Sequence, residues 1–141
     1  MRKLFVSYAR ESTFEVEELA RHLRALGYET WMDSALRGGQ SWWDEIMRSI
    51  ADCDAFLAII SHRSVNSLAC RSELDWALAL GKPVLPIAVE PLPDALPGNI
   101  AMRQIVDYSN PGPDSAFAVA GALAALPPAP APPDPLPDLP R

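Results

Sequence analysis

The chain has 141 residues, the length of one ordinary domain, with 49% hydrophobic and 21% charged positions, which excludes collagen, a coiled coil and wholesale disorder. Twelve Lys and Arg against 18 Asp and Glu leave a net charge of −6, so extended contact with phosphate backbones or anionic lipid is opposed, and neither nucleic acid nor a membrane is expected as a partner. The apolar runs Ala55–Ile60 and Ala116–Leu126 fall short of the roughly 20 residues a bilayer requires, so a soluble protein is expected.

Leu4-Phe5-Val6 reads as a first strand, and Ser12-Thr13-Phe14-Glu15 has the capping-box spacing that opens a helix. Val16, Leu19, Ala20, Leu23 and Leu26 follow at the spacing of one helical stripe, and Gly27 stops it. Tyr28–Met32 reads as a second strand. Ser34–Ser41, with Gly38-Gly39, has no periodic pattern and reads as a loop, and Ser41 is placed to cap a helix with Ile46 and Ile50 inward.

Ala55–Ile60 is uninterrupted apolar, the pattern of a strand covered on both faces. Ser61–Asn66 reads as a loop. Ser67 caps a third helix running to Leu80 before Gly81 and Pro83, and Val84–Val89 is the next buried strand, weakened as a central ladder member by Pro86. Glu90–Gly98 is a proline-rich loop, Ile105–Tyr108 a short strand, and Asp114–Leu126 a last helix with Phe117, Ala120 and Leu123 inward. The alternation implies an α/β fold, a parallel sheet between helices on both faces.

Eight of the 15 prolines fall in Pro127–Arg141, so residues 1–126 are expected to be the folded domain and 127–141 an extended, proline-rich tail or linker. That tail suggests a tether to a fused or separate sensor. Two cysteines, Cys53 and Cys70, make no disulfide framework, and no signal segment precedes the first strand, which points to the cytoplasm.

Three ordered blocks then match one family: Phe5-Val6-Ser7-Tyr8; Trp31-Met32-Asp33 with Leu36 and Gly39 leading to Trp42; and Ser67-x-x-Cys70-x-x-Glu73-Leu74. Together they resemble the Toll/interleukin-1 receptor (TIR) domain, over residues 1–126, and in particular its bacterial NAD-cleaving members. The resemblance implies a flavodoxin-like sheet of five parallel strands and one of two activities. Some members cleave the nicotinamide–ribose bond of NAD, giving ADP-ribose or a cyclised isomer; others assemble with one another without catalysis. NAD enters as substrate, no cofactor is implied, and self-association into a dimer or filament is expected.

Glu73 carries the catalytic expectation. On a helix, Ala69, Glu73, Trp76 and Leu80 share a stripe, so this acid sits among apolar neighbours that would raise its pKa. The alternative is a solvated acid near a helix start, favoured by the macrodipole. One carboxylate suffices for this chemistry: a sugar leaving group must be protonated, whereas nicotinamide leaves a pyridinium as a neutral base.

The crevice of a doubly wound sheet lies at the carboxyl ends of its strands, where Ser7, Tyr8 and Arg10 follow the first, Asp33 the second, and Glu73 lies on the helix after the third. By resemblance, Trp42 falls where NAD-cleaving relatives stack an aromatic on nicotinamide, and Arg10 at a basic position beside the site. From the residues alone, Trp42 and Trp43 flank the Ile46 stripe and fit the core equally well, Arg10 can pair with Glu11 or Asp33, and Ser7 and Tyr8 suit strand-end packing. Leu36, Arg37, Gly38, Gly39 and Trp43 form a loop suited to closing over nicotinamide or docking on another copy. Many relatives carry Trp four residues before the glutamate; Ala69 stands there, and the pocket loses a wall.

Cys70 with His62 can be written as a nucleophile pair, but a small buried thiol that packs on the sheet explains it more simply. No spacing suggests zinc. A response-regulator receiver needs an acid where Ser61 stands, and a flavodoxin needs a phosphate loop where Tyr8-Ala9-Arg10-Glu11 stands. A nucleoside deoxyribosyltransferase shares the general fold and uses a glutamate on an N-glycosidic bond, but the three blocks do not resemble that family.

Overall fold

Six consecutive apolar residues can be buried only where both faces of a strand are covered, and in the computed structural model Ala55–Ile60 is the middle strand of the sheet, with all six side chains buried. The structure describes residues 2–32, 40–92, 96, 98–101, 103–131 and 133. Asp33, Leu36, Arg37, Gly38 and Gly39, together with most of the expected Ser34–Ser41 loop, lie outside the described residues.

Strands β1 (Lys3–Ser7), β2 (Glu29–Met32), β3 (Ala55–Ile60), β4 (Val84–Ala88) and β5 (Val106–Asp107) alternate with helices α1 (Thr13–Ala25), α2 (Gln40–Asp52), α3 (His62–Val65), α4 (Leu68–Ala79), α5 (Gly98–Ala101) and α6 (Pro113–Ala124). The sheet is parallel throughout in the order β2-β1-β3-β4-β5. The order reverses between β1 and β3, the point at which such sheets open a crevice at the strands' carboxyl ends.

Strand alternation divides the core into two layers. Leu4, Val6, Leu57 and Ile59 face Val16, Leu19 and Leu23 of α1 and Ala116, Val119 and Leu123 of α6. Phe5, Phe56, Ala58 and Ile60 face Ile46, Met47 and Ile50 of α2 and Leu74, Trp76 and Ala77 of α4. Ser7 falls on this second face, two residues beyond Phe5.

Several expectations need correction. Phe117 is 68% exposed and the buried stripe of α6 is Ala116, Val119 and Leu123, because an Ala-rich helix offers little hydrophobic contrast from which to read its face. The capping box at Ser12 does not form: Arg10–Ser12 is already a 3-10 turn, and Ser12, at φ −97° and ψ 12°, lacks the extended backbone that aims a cap hydroxyl at the helix. Helix α2 begins at Gln40, which puts Ser41 within its first turn.

Pro86 does sit in a ladder between two strands, yet costs it nothing. Val89 N–H bonds toward β3 and the Ala88 carbonyl toward β5, so alternation turns the Pro86 nitrogen to the β5 side, where pairing starts only at Ile87. Residues 61–66, read as a loop, hold α3, capped reciprocally by Ser61 and Ser64. The proline-rich loop carries α5.

The start of the tail touches the domain: a Cβ on Gly81 would stand 3.3 Å from Pro130 Cγ, and Gly81 has φ +70°. This contact lies before β4, at the sheet end opposite the crevice. Nearby, buried Lys82 donates from Nζ to the carbonyls of Ala51 (2.7 Å) and Cys53 (2.8 Å), satisfying acceptors at the end of α2 with a charge of the sign that the helix dipole favours there. Lys82→Met is therefore expected to lower stability by about 1–3 kcal/mol, those carbonyls being left buried without a donor. Urea unfolding measures this; an unshifted midpoint would show that the two contacts are dispensable.

Candidate active site

The site is built where β1 ends against α4. Ser67 has an extended backbone and its hydroxyl accepts from Cys70 N–H, which fixes the start of α4. From that start the helix period carries Glu73, with Leu74, Trp76 and Ala77, onto the face that packs on the sheet. Glu73 is 2% exposed, so the solvated alternative does not hold. The Ser7 hydroxyl donates to Glu73 Oε1 at 2.7 Å, a buried bond between residues 66 positions apart.

A cavity of about 380 Å³ opens at this junction. Tyr8, Ala9, Arg10 and Glu11 line it from the segment after β1, Arg63 from α3, and Ser67, Ala69, Cys70 and Glu73 from the start of α4. The structure thus brings Tyr8, Arg10, Ala69 and Glu73 together as the sequence suggested, with Ser7 behind the carboxylate. Ala69 is exposed, and its methyl group leaves open the space that a Trp side chain would wall off. A second cavity of about 240 Å³ reaches Ser7 and Cys70 from the β3 side, lined chiefly by apolar groups including Phe56, Ala58, Ile60 and Leu74.

Trp42 does not line the cavity that contains Glu73. It closes an aromatic column running Phe56–Phe5–Trp31–Trp42, with centroid separations of 5.5, 5.0 and 6.0 Å, and Trp42 and Trp43 are both half-buried against the α2/α4 core. Trp76 is buried, its indole N–H donating to the Met47 carbonyl at 2.8 Å, so it joins α4 to α2 and takes no part in the cavity. Arg63 was missed in sequence because a four-residue helix with one apolar residue, Val65, has no period to read. The signal that was available is the Ser61-x-x-Ser64 spacing, whose reciprocal hydrogen bonds of 3.0 and 2.9 Å hold that helix in place.

Among the described residues no cluster of three or more His, Cys, Asp or Glu is placed to hold a metal, and no helix is long and apolar enough to cross a membrane. Cys53 is buried, and desolvation, opposed by neighbouring Lys82, pushes its thiol up to about 11.

A family model described as the TIR domain matches residues 4–121. Among solved structures, the TIR domain of the Toll-related receptor TRR-2 from Hydra magnipapillata is similar at 18% identity and TM-score 0.66, covering 88% of this chain and 96% of that one. The Clostridium botulinum CMP N-glycosidase BcmB is similar at 19% identity and TM-score 0.63, over 87% of this chain and 99% of that one. The TIR domains of the activated Roq1 resistosome, which directly recognizes the pathogen effector XopQ, follow at 22% identity and TM-score 0.54, over 89% and 72%. At these identities the structural likeness speaks for the fold. No curated protein sequence matches.

Two outcomes test the geometry. Ser7→Ala and Glu73→Ala are expected to be non-additive, with a coupling of about 1–2 kcal/mol in a double-mutant cycle of urea unfolding; additivity would mean that the bond carries no energy. In the native protein at pH 8, a thiol reagent is expected to leave Cys53 unmodified until the chain unfolds, since both access and thiolate are withheld. Rapid native labelling of Cys53, read by peptide mass, would contradict its burial.

Proposed function

The chain belongs to the TIR domain family, and from that membership we propose that it is an NAD glycohydrolase, with Glu73 as its catalytic residue and self-association as its means of activation. The observation that carries this reading is the placement of Glu73: a carboxyl group 2% exposed, held by Ser7 and lining a cavity of about 380 Å³. A volume of that order is in the range of small-molecule sites.

Burying an acid costs several kcal/mol unless partners compensate it, and an apolar residue packed on the sheet would be more stable. Such a group, set in a cleft, is a mark of function. The fold likeness to a CMP N-glycosidase supports N-glycosidic chemistry on this scaffold without deciding the base.

In the proposed reaction the bond between ribose C1′ and the pyridinium nitrogen breaks, and its electron pair leaves on nicotinamide as a neutral base, so no acid is required. Positive charge develops at C1′ and the ring oxygen. The Glu73 carboxylate, oriented by Ser7 and screened from water, stabilises that charge and accepts hydrogen bonds from the ribose hydroxyls. Water then adds to C1′ and loses a proton, giving ADP-ribose; capture by an atom of the substrate itself would give a cyclised isomer. Tyr8 and Arg10 line the same cavity and are assigned to substrate binding.

The reducing cytoplasm is the proposed site of action, where NAD is at hand. A second reading, a non-catalytic assembly module, draws on the exposed apolar side chains Phe14, Leu68 and Phe117, which are the kind of groups that homotypic contacts cover. The same contacts serve the first reading as well.

The deciding experiment is chromatography of NAD incubated with protein at increasing concentration. Nicotinamide release is expected to rise faster than in proportion to protein, and Glu73→Gln to lower it by about 10²–10³-fold while leaving the unfolding temperature equal or higher. Wild-type turnover in that variant would overturn the assignment. No turnover in a forced oligomer that still self-associates would leave the assembly reading.

A further inference from the structure

The lining of the cavity that holds Glu73 carries charges of both signs. Glu73 lies on the sheet side, buried and hydrogen-bonded to Ser7. Arg63 lines the same cavity from α3 and is exposed, so it stands at the rim. The remaining charged groups of the lining, Arg10 and Glu11, come from the segment after β1. The neighbour of Arg63 on α3, His62, is engaged elsewhere, its Nδ1 lying 2.6 Å from Glu90 Oε2. Arg63 itself makes no ion pair with a described carboxylate.

Its platform is fixed, because Ser61 and Ser64 are both buried and cap the four-residue helix reciprocally. In a chain of net charge −6, Arg10 and Arg63 both line this cavity, beside Glu11, and supply cationic groups that an anion can meet there.

A ligand that carries both a cationic and an anionic group can meet Glu73 and Arg63 together in one cavity. A glycosyl cation carrying phosphate suits both: its positive ribosyl centre lies against Glu73 and its phosphate oxygens reach the rim. We propose that Arg63 is a specificity-determining residue that holds the substrate's phosphate oxygens, so that the enzyme takes nucleotides in preference to the corresponding nucleosides. This rests on the glycohydrolase reading above and deepens it. A planar guanidinium donates two parallel hydrogen bonds to a phosphate, which makes Arg63 a binding residue that acts on affinity and leaves bond cleavage to Glu73.

The test separates binding from turnover. Wild type, Arg63→Ala and Arg63→Lys are titrated by calorimetry with ADP-ribose, and their kinetics are compared on NAD and on nicotinamide riboside, which has the same scissile bond and no phosphate. Arg63→Ala is expected to weaken ADP-ribose about tenfold or more and to raise KM for NAD by a similar factor with kcat within about twofold. The kcat/KM for nicotinamide riboside stays at the wild-type value, Arg63→Lys recovers part of the loss, and added salt narrows the gap between wild type and Arg63→Ala.

Equal affinity of wild type and Arg63→Ala for ADP-ribose, or an equal loss on both substrates, overturns the proposal. Should no variant cleave NAD while ADP-ribose binding still depends on Arg63, the phosphate contact stands and the glycohydrolase reading falls.

Discussion

The 2.7 Å hydrogen bond from Ser7 to Glu73 is the point at which fold and proposed chemistry meet. It ties the carboxyl end of β1 to α4, in the connection between β3 and β4, beside the point between β1 and β3 at which the sheet order reverses. A buried carboxyl group in that position weakens a core that would otherwise be continuous from Ile46 to Ile100, and it is tolerated because Ser7 meets it there. Replacing both residues together by apolar ones would make that core continuous and remove the polar junction from which the cavity opens, whereas removing Ser7 alone would leave the acid buried without this donor.

The surrounding structure serves to hold that junction. Phe5, two residues before Ser7, is stacked between Phe56 and Trp31, and Trp76, three residues after Glu73, is pinned by its hydrogen bond to Met47. Strand and helix are therefore each anchored within a few residues of the bond they share. Lys82 closes the end of α2 at the sheet end opposite the crevice, a second buried polar junction outside the cavity lining.

Much of this was legible in the sequence where hydrophobic contrast is strong. The apolar run of β3, the stripe of α1 and the capping serine of α4 gave those elements within a residue or so. Where contrast fails, the reading fails in part: α6 is rich in alanine, and Phe117 and Ala120 were read inward where Ala116 and Val119 are the buried residues, while Leu123 is buried as expected. Residues 61–66 carry no period, so α3 and with it Arg63 escaped notice. Glu73 was legible from its stripe and motif together, because an acid on an apolar face is conspicuous. Trp42 illustrates the reverse, since an aromatic before a buried stripe fits core and ligand equally in sequence, and the structure stacks it on Trp31. How Asp33 and the Leu36–Gly39 stretch complete the crevice lies outside the described residues.

The central claim is that the Glu73 carboxylate addresses the ribose of a bound dinucleotide. Its most direct test is a crystal structure of the Glu73→Gln protein with NAD, in which the substituted side chain keeps its acceptor for Ser7. The account predicts the nicotinamide-bearing ribose in the cavity between β1 and α4, with its hydroxyls in hydrogen-bond contact with the side chain at position 73. NAD bound elsewhere, or its ribose out of reach of that side chain, would contradict it.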